Sequence, residues 1–99
     1  MIKHIVLFKF KELLSQDERV GKSNNIKLSL EALKDIIKPL RMIEAGVNIN
    51  PNENYDLALT TLFDNWDDLK FYAEHPEHQK VSVEIRKNME QRACVDYEI

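Results

Sequence analysis

Residues 2–10 read Ile-Lys-His-Ile-Val-Leu-Phe-Lys-Phe, and no other stretch limits the fold as tightly. Ile2, His4, Val6, Phe8 and Phe10 alternate with Lys3, Ile5, Leu7 and Lys9, a pattern rich in β-branched and aromatic types that predicts a strand. In its centre both faces are apolar. Such a strand must be covered on two sides, so it belongs in the middle of a sheet.

The rest of the chain supplies partners for it. Ser15-Gln16-Asp17-Glu18 is a capping box that starts a helix. Ile26, Leu30, Leu33, Ile37 and Leu40 then form one helical stripe that ends near Pro39. Gly21 and Ser23-Asn24-Asn25 predict a bend or break early in this helix. Residues 42–50 alternate as a half-buried edge strand, with Ile43, Ala45, Val47 and Ile49 on one face. After the turn cluster at 51–54, residues 55–63 give a further strand that buries Leu57, Leu59, Thr61 and Phe63, and the two pair as a hairpin. Asn65 caps a second helix, Pro76 interrupts it, and a helical run with Val81, Ile85 and Met89 follows. Residues 92–98 make the last strand.

This βαββαβ order predicts an α+β, ferredoxin-like protomer: a four-stranded antiparallel sheet with its helices on one face. Helices cover only one face, yet the first and third strands are apolar on both. The second face is too large an apolar patch for a monomer, and a two-fold homodimer would cover it.

At 99 residues the chain predicts a single domain, 1–99, that gains from a partner's buried surface. Fourteen basic and 17 acidic residues give a net charge of -3, with no basic stripe, which argues against nucleic-acid or membrane partners. One cysteine, Cys94, allows no internal disulfide. The first residues carry Lys3, His4 and Lys9 and lack a signal-peptide pattern, so a cytoplasmic location is expected.

The chemistry-bearing segment is Phe71-Tyr72-Ala73-Glu74-His75-Pro76-Glu77-His78. Three readings fit it. Pro76 and Glu77 suit a helix first turn, with His75 near the N-cap and His78 near the third position, so the corner reads as a helix start. His75 and His78 with Glu74 and Glu77 offer metal-ligand types, but the proline turn sets the imidazoles apart and no further ligand pair closes a tetrahedron, so no metal is expected. The third reading is proton transfer. A helix N-terminus keeps the His78 imidazole neutral and able to act as a base; Tyr72 can polarise a substrate oxygen, and Asp96 is the candidate to orient His78. His4 is a polar group on an otherwise apolar strand face.

Taken together, the opening strand with His4, Tyr55-Asp56-Leu57-Ala58-Leu59, Phe63-Asp64-Asn65, Leu69-Lys70-Phe71-Tyr72, His75-Pro76-Glu77-His78 and Val95-Asp96-Tyr97 resemble the stress-responsive dimeric α/β-barrel (Dabb) family over essentially the whole chain. The resemblance implies a homodimer in which two sheets form a barrel. One member of that family is a polyketide cyclase that works without a cofactor. By resemblance to it, His78 is the base, Tyr72 assists, Asp96 orients His78, and His4 lines the pocket. Val6, Phe8, Leu30, Leu59 and Phe63 are the expected remaining walls. The cyclase shapes its pocket with aromatic residues on the first long helix. This chain has none between Lys11 and Asn54, so Leu30 and Leu33 would stand there and the substrate must differ.

Two functions lead on the sequence, ahead of a cofactor-independent oxygenase that rests only on analogy with the related dimeric-barrel architecture. One is a binder or enzyme for a small carbonyl compound, acting by His-based proton transfer with no cofactor. The other is a non-catalytic, stress-associated dimer whose His-Pro-Glu-His corner is architectural.

Overall fold

The computed structural model describes residues 1–12 and 14–99. Its elements are β1 (Ile2–Phe10), α1 (Gln16–Glu31), a 3-10 turn (Ala32–Asp35), β2 (Met42–Val47), β3 (Leu57–Phe63), α2 (Trp66–Glu74), α3 (Pro76–Asn88) and β4 (Met89–Glu98). The strands form one sheet in the order β2-β3-β1-β4, antiparallel throughout. The fold is α+β and ferredoxin-like, with the doubly apolar first strand between two neighbours.

One face of the sheet carries the core. Val6, Phe8 and Phe10 of β1 and Leu57, Leu59 and Phe63 of β3 are buried against Ile26 and Leu30 of α1, Tyr72 of α2 and Ile85 of α3. Each such side chain contributes about 1.5–3 kcal/mol when taken from water. Ala45 is the buried residue of edge strand β2. Lys27 and Glu31 tie α1 to it: the Lys27 Nζ donates to the Ala45 carbonyl at 2.6 Å, and the Ala45 amide donates to Glu31 at 3.3 Å.

Local chemistry sets the helix starts. Ser15 Oγ accepts from the Glu18 amide while the Glu18 carboxylate accepts from the Ser15 amide, completing the capping box. Asn65 Oδ1 accepts from the Asp68 amide at 2.9 Å. His75 holds the extended conformation that a following proline imposes, and its Nδ1 accepts from the Glu77 amide at 3.1 Å. Pro76 therefore ends one helix and opens the next, because its missing N–H lies where no intrahelical acceptor exists.

Four boundaries differ from the sequence expectation, the smallest being that β3 begins at Leu57 rather than at residue 55. α1 runs unbroken through Gly21 and Ser23-Asn24-Asn25. Burial of Ser23, Ile26 and Leu30 outweighs propensity losses of at most about 1 kcal/mol per residue. The chain tightens instead at Ala32, and Leu33, Ile37 and Leu40 remain buried beyond the α-helix. β2 stops at Val47, because Asn48 turns the chain by bonding to both the amide and the carbonyl of Asn50, which leaves Ile49 94% exposed. β4 begins at Met89, earlier than expected, because Met89 pairs with Phe10 across an irregularity between Lys9 and Phe10.

Among the described residues, no helix is long and apolar enough to cross a membrane.

Candidate functional site

The corner between α2 and α3 sets two rings against each other. Tyr72 and His78 stand with centroids 4.4 Å apart, tilted by 50°. Behind Tyr72 lies Phe63, at 5.1 Å. Both Tyr72 and His78 line a cavity of about 480 Å3 between the helix-covered face of the sheet and α2 and α3. His4, Val6, Phe8, Leu30 and Leu59 form walls of the same cavity. A volume of this size accommodates a small organic molecule.

Tyr72 is only 1% exposed, and its hydroxyl has no hydrogen-bond partner among the described residues. A buried polar group left in that state costs about 1–3 kcal/mol. Burial pushes the phenol well above its usual pKa, so it keeps its proton and remains a donor. Tyr72→Phe is thus expected to raise the stability of the ligand-free protein by about 1 kcal/mol, readable as a higher melting temperature.

His78 is half-buried, and its Nδ1 lies 3.1 Å from the Ala73 carbonyl. A carbonyl can only accept, so Nδ1 carries the hydrogen and Nε2 keeps its lone pair. The same carbonyl accepts from Gln79 Nε2 at 2.5 Å. Burial lowers the His78 pKa, the Ala73 carbonyl opposes that shift, and electrostatic repulsion from His4, Arg86 and Arg92 adds to the lowering. At neutral pH the ring is a neutral base.

This has a pH consequence. The folded state binds the His78 proton less readily than the unfolded chain, so acid favours unfolding. The contribution is fully present above the ordinary histidine value of about 6.5 and is lost as pH falls through the lower folded value. NMR titration should place the His78 inflection on the acid side of that value, and His78→Gln should flatten part of the acid decline in melting temperature.

Asp96 is not beside His78 in the manner expected from sequence. Its carboxylate takes the hydrogen bond of His4 Nδ1. The cause is register: His4 and Asp96 are directly opposite on β1 and β4 and face the same side, whereas His78 rides on a helix. The orienting group of His78 is therefore a backbone carbonyl. The other pocket assignments divide. Phe63 and Leu33 are buried but do not line the cavity; Phe63 supports it from behind Tyr72.

Sequence reasoning passed over Gln79, Ser82, Arg86 and Arg92, which also line the cavity. The signal for Arg86 and Ser82 was available: they follow His78 at i+8 and i+4 on the same helix. Arg92 depends on the β1–β4 register, where it sits opposite Phe8.

The His75 and His78 pair considered for metal binding is taken up by the backbone, each Nδ1 bonding to a main-chain group. Among the described residues, one other cluster has metal-ligand types: His4 Nδ1, Cys94 Sγ and an Asp96 oxygen lie within 4.8 Å of one another. These donors suit a zinc-like ion, but the carboxylate would first have to leave His4 Nδ1.

The model of the stress responsive A/B barrel domain (Dabb) matches residues 2–99. An uncharacterised protein of Streptomyces coelicolor is 33% identical over 99% of both chains. A dimeric protein of unknown function with a ferredoxin-like fold, from Bacteroides fragilis, is 46% identical with a TM-score of 0.94, covering 99% of this chain and 95% of that one. A hydroxynitrile lyase from Passiflora edulis shares the fold at 19% identity and a TM-score of 0.79, covering 99% of this chain and 92% of that one. With its fold, its corner and its full-length match in agreement, the chain belongs to the Dabb family of stress-responsive A/B barrel domains.

Proposed function

We propose that the protein binds a small carbonyl-containing molecule in the cavity and moves a proton on it without a cofactor. The observation that carries this reading is the cavity that Tyr72 and the neutral His78 imidazole line together, with a buried Tyr72 hydroxyl that has no hydrogen-bond partner among the described residues. A substrate carbonyl would accept from Tyr72, and His78 Nε2 would take a proton from the carbon next to it. The phenol would stabilise the oxyanion that forms, the larger electrostatic part of such catalysis. Asp96 acts at one remove, fixing His4 as a wall through their shared hydrogen bond.

A second reading treats the corner as architecture. It is favoured by the bonds of His75 and His78 to the Glu77 amide and the Ala73 carbonyl, which fasten the two helices together. A ligand-stabilisation screen separates the two. Small ketones and oxo acids should raise the melting temperature of the wild type, and His78→Ala should lose the rise. No ligand-dependent rise, with His78→Ala simply less stable, would leave only the architectural reading.

The working form is a homodimer. Val95 and Tyr97, on the face of β4 away from the helices, are 53% and 40% exposed, and Ile5 and Leu7 beside them are partly exposed. An apolar sheet face of this kind calls for a cover, and the Bacteroides fragilis protein is described as dimeric. Light scattering should give twice the 11.7 kDa chain mass, and Leu7→Glu should shift the mass toward the monomer. A wild-type monomer at all concentrations would refute the dimer.

A further inference from the structure

We propose that Arg86 and Arg92 make this cavity a site for an organic carboxylate, so that the molecule bound is an oxo acid rather than a neutral ketone. The inference rests on the small-molecule reading above and narrows its substrate class.

Both arginines line the cavity, from two different elements. Arg86 lies in the last turn of α3, and Arg92 lies on β4 beyond the junction at Met89. The C-terminal end of a helix favours a cation, which stabilises Arg86 where it stands. Ser82 Oγ accepts from Arg86 Nε at 3.3 Å and from its terminal nitrogen at 2.9 Å, so the group is held by a neutral hydroxyl. Among the described residues neither arginine is in an ion pair. The wall has one carboxylate, Asp96, and it is engaged by His4. A chain of net charge -3 thus places two unneutralised cations around one cavity.

The chemistry favours a carboxylate. Guanidiniums bind planar oxyanions through paired N–H donors, and such charge-assisted bonds are stronger than neutral ones. Tyr72 supplies a second, neutral anchor, suited to a carbonyl oxygen. Val6, Phe8, Leu30 and Leu59 provide apolar walls. A molecule with a carboxylate, an apolar body and a ketone answers all three. Positive potential at the cavity also speeds the encounter with an anion.

The test uses 4-oxo-4-phenylbutanoate, its methyl ester and the corresponding phosphonate, with binding read by calorimetry on the full chain. Arg86→Gln and Arg92→Gln change exposed side chains and should fold; Lys87→Gln, on the same helix, is the control. The acid should bind the wild type at least about tenfold more tightly than the ester. Each arginine variant should weaken the acid by about tenfold, leave the ester unchanged, and steepen no salt dependence. Equal binding of acid and ester, or acid binding undiminished in the double variant, would overturn the carboxylate site while leaving the small-molecule reading intact. Tighter, arginine-dependent binding of the phosphonate would overturn the choice of carboxylate over phosphate. Failure of all three probes to bind would count against the small-molecule reading and this inference together.

Discussion

Phe63→Ala is expected to destabilise the protein by about 3–5 kcal/mol, the range for an aromatic ring removed from a packed core. Phe63 is 0% exposed at the end of β3, opposite Ile2 of β1, and its ring meets Tyr72. A domain of this size has a total stability of about 5–15 kcal/mol, so the loss is a large share of it. The melting temperature should fall on the order of 20 °C. Urea unfolding checks the value. A loss below about 1 kcal/mol would mean that the Phe63–Tyr72 contact does not support the cavity wall.

His78→Ala is expected to slow proton abstraction from a bound ketone by about 10²–10⁴, the usual contribution of a positioned general base. Nδ1 is fixed on the Ala73 carbonyl, Nε2 is the free lone pair, and burial keeps the ring neutral. Asp96→Asn separates this arrangement from a His78–Asp96 dyad. Because the Asp96 carboxylate bonds to His4, the substitution should leave the His78 titration nearly unmoved. A marked fall in the His78 pKa in that variant would show that Asp96 governs His78 after all.

Local signals carried most of the fold. The limits of β1, the Ser15 capping box, the Asn65 cap and the Pro76 break each depend on a few adjacent residues, and each stands where the pattern placed it. The sheet order followed from which strands were apolar on both faces. What local pattern could not supply was the balance between propensity and burial. Hence α1 runs through Gly21 and the Ser23-Asn24-Asn25 run, and β2 ends at an asparagine turn.

The site was legible in part for the same reason. Tyr72, His78 and His75 sit on one continuous corner, so spacing along two helices brought them into view. Asp96 and Arg92 lie at the far end of the chain, and their neighbours are set by the β1–β4 register, which is a long-range fact. That register gives Asp96 to His4 and brings Arg92 to the cavity.

The most direct measurement is hydrogen exchange at carbon. NMR in D2O would follow the hydrogens beside the ketone of 4-oxo-4-phenylbutanoate with wild type, His78→Ala and Tyr72→Phe. The account predicts protein-accelerated exchange that rises with pH to a plateau beginning on the acid side of about 6.5, and that His78→Ala abolishes. Tyr72→Phe should slow it while the folded protein becomes more stable. Binding of the ketone without any acceleration, or equal acceleration in His78→Ala, would contradict it.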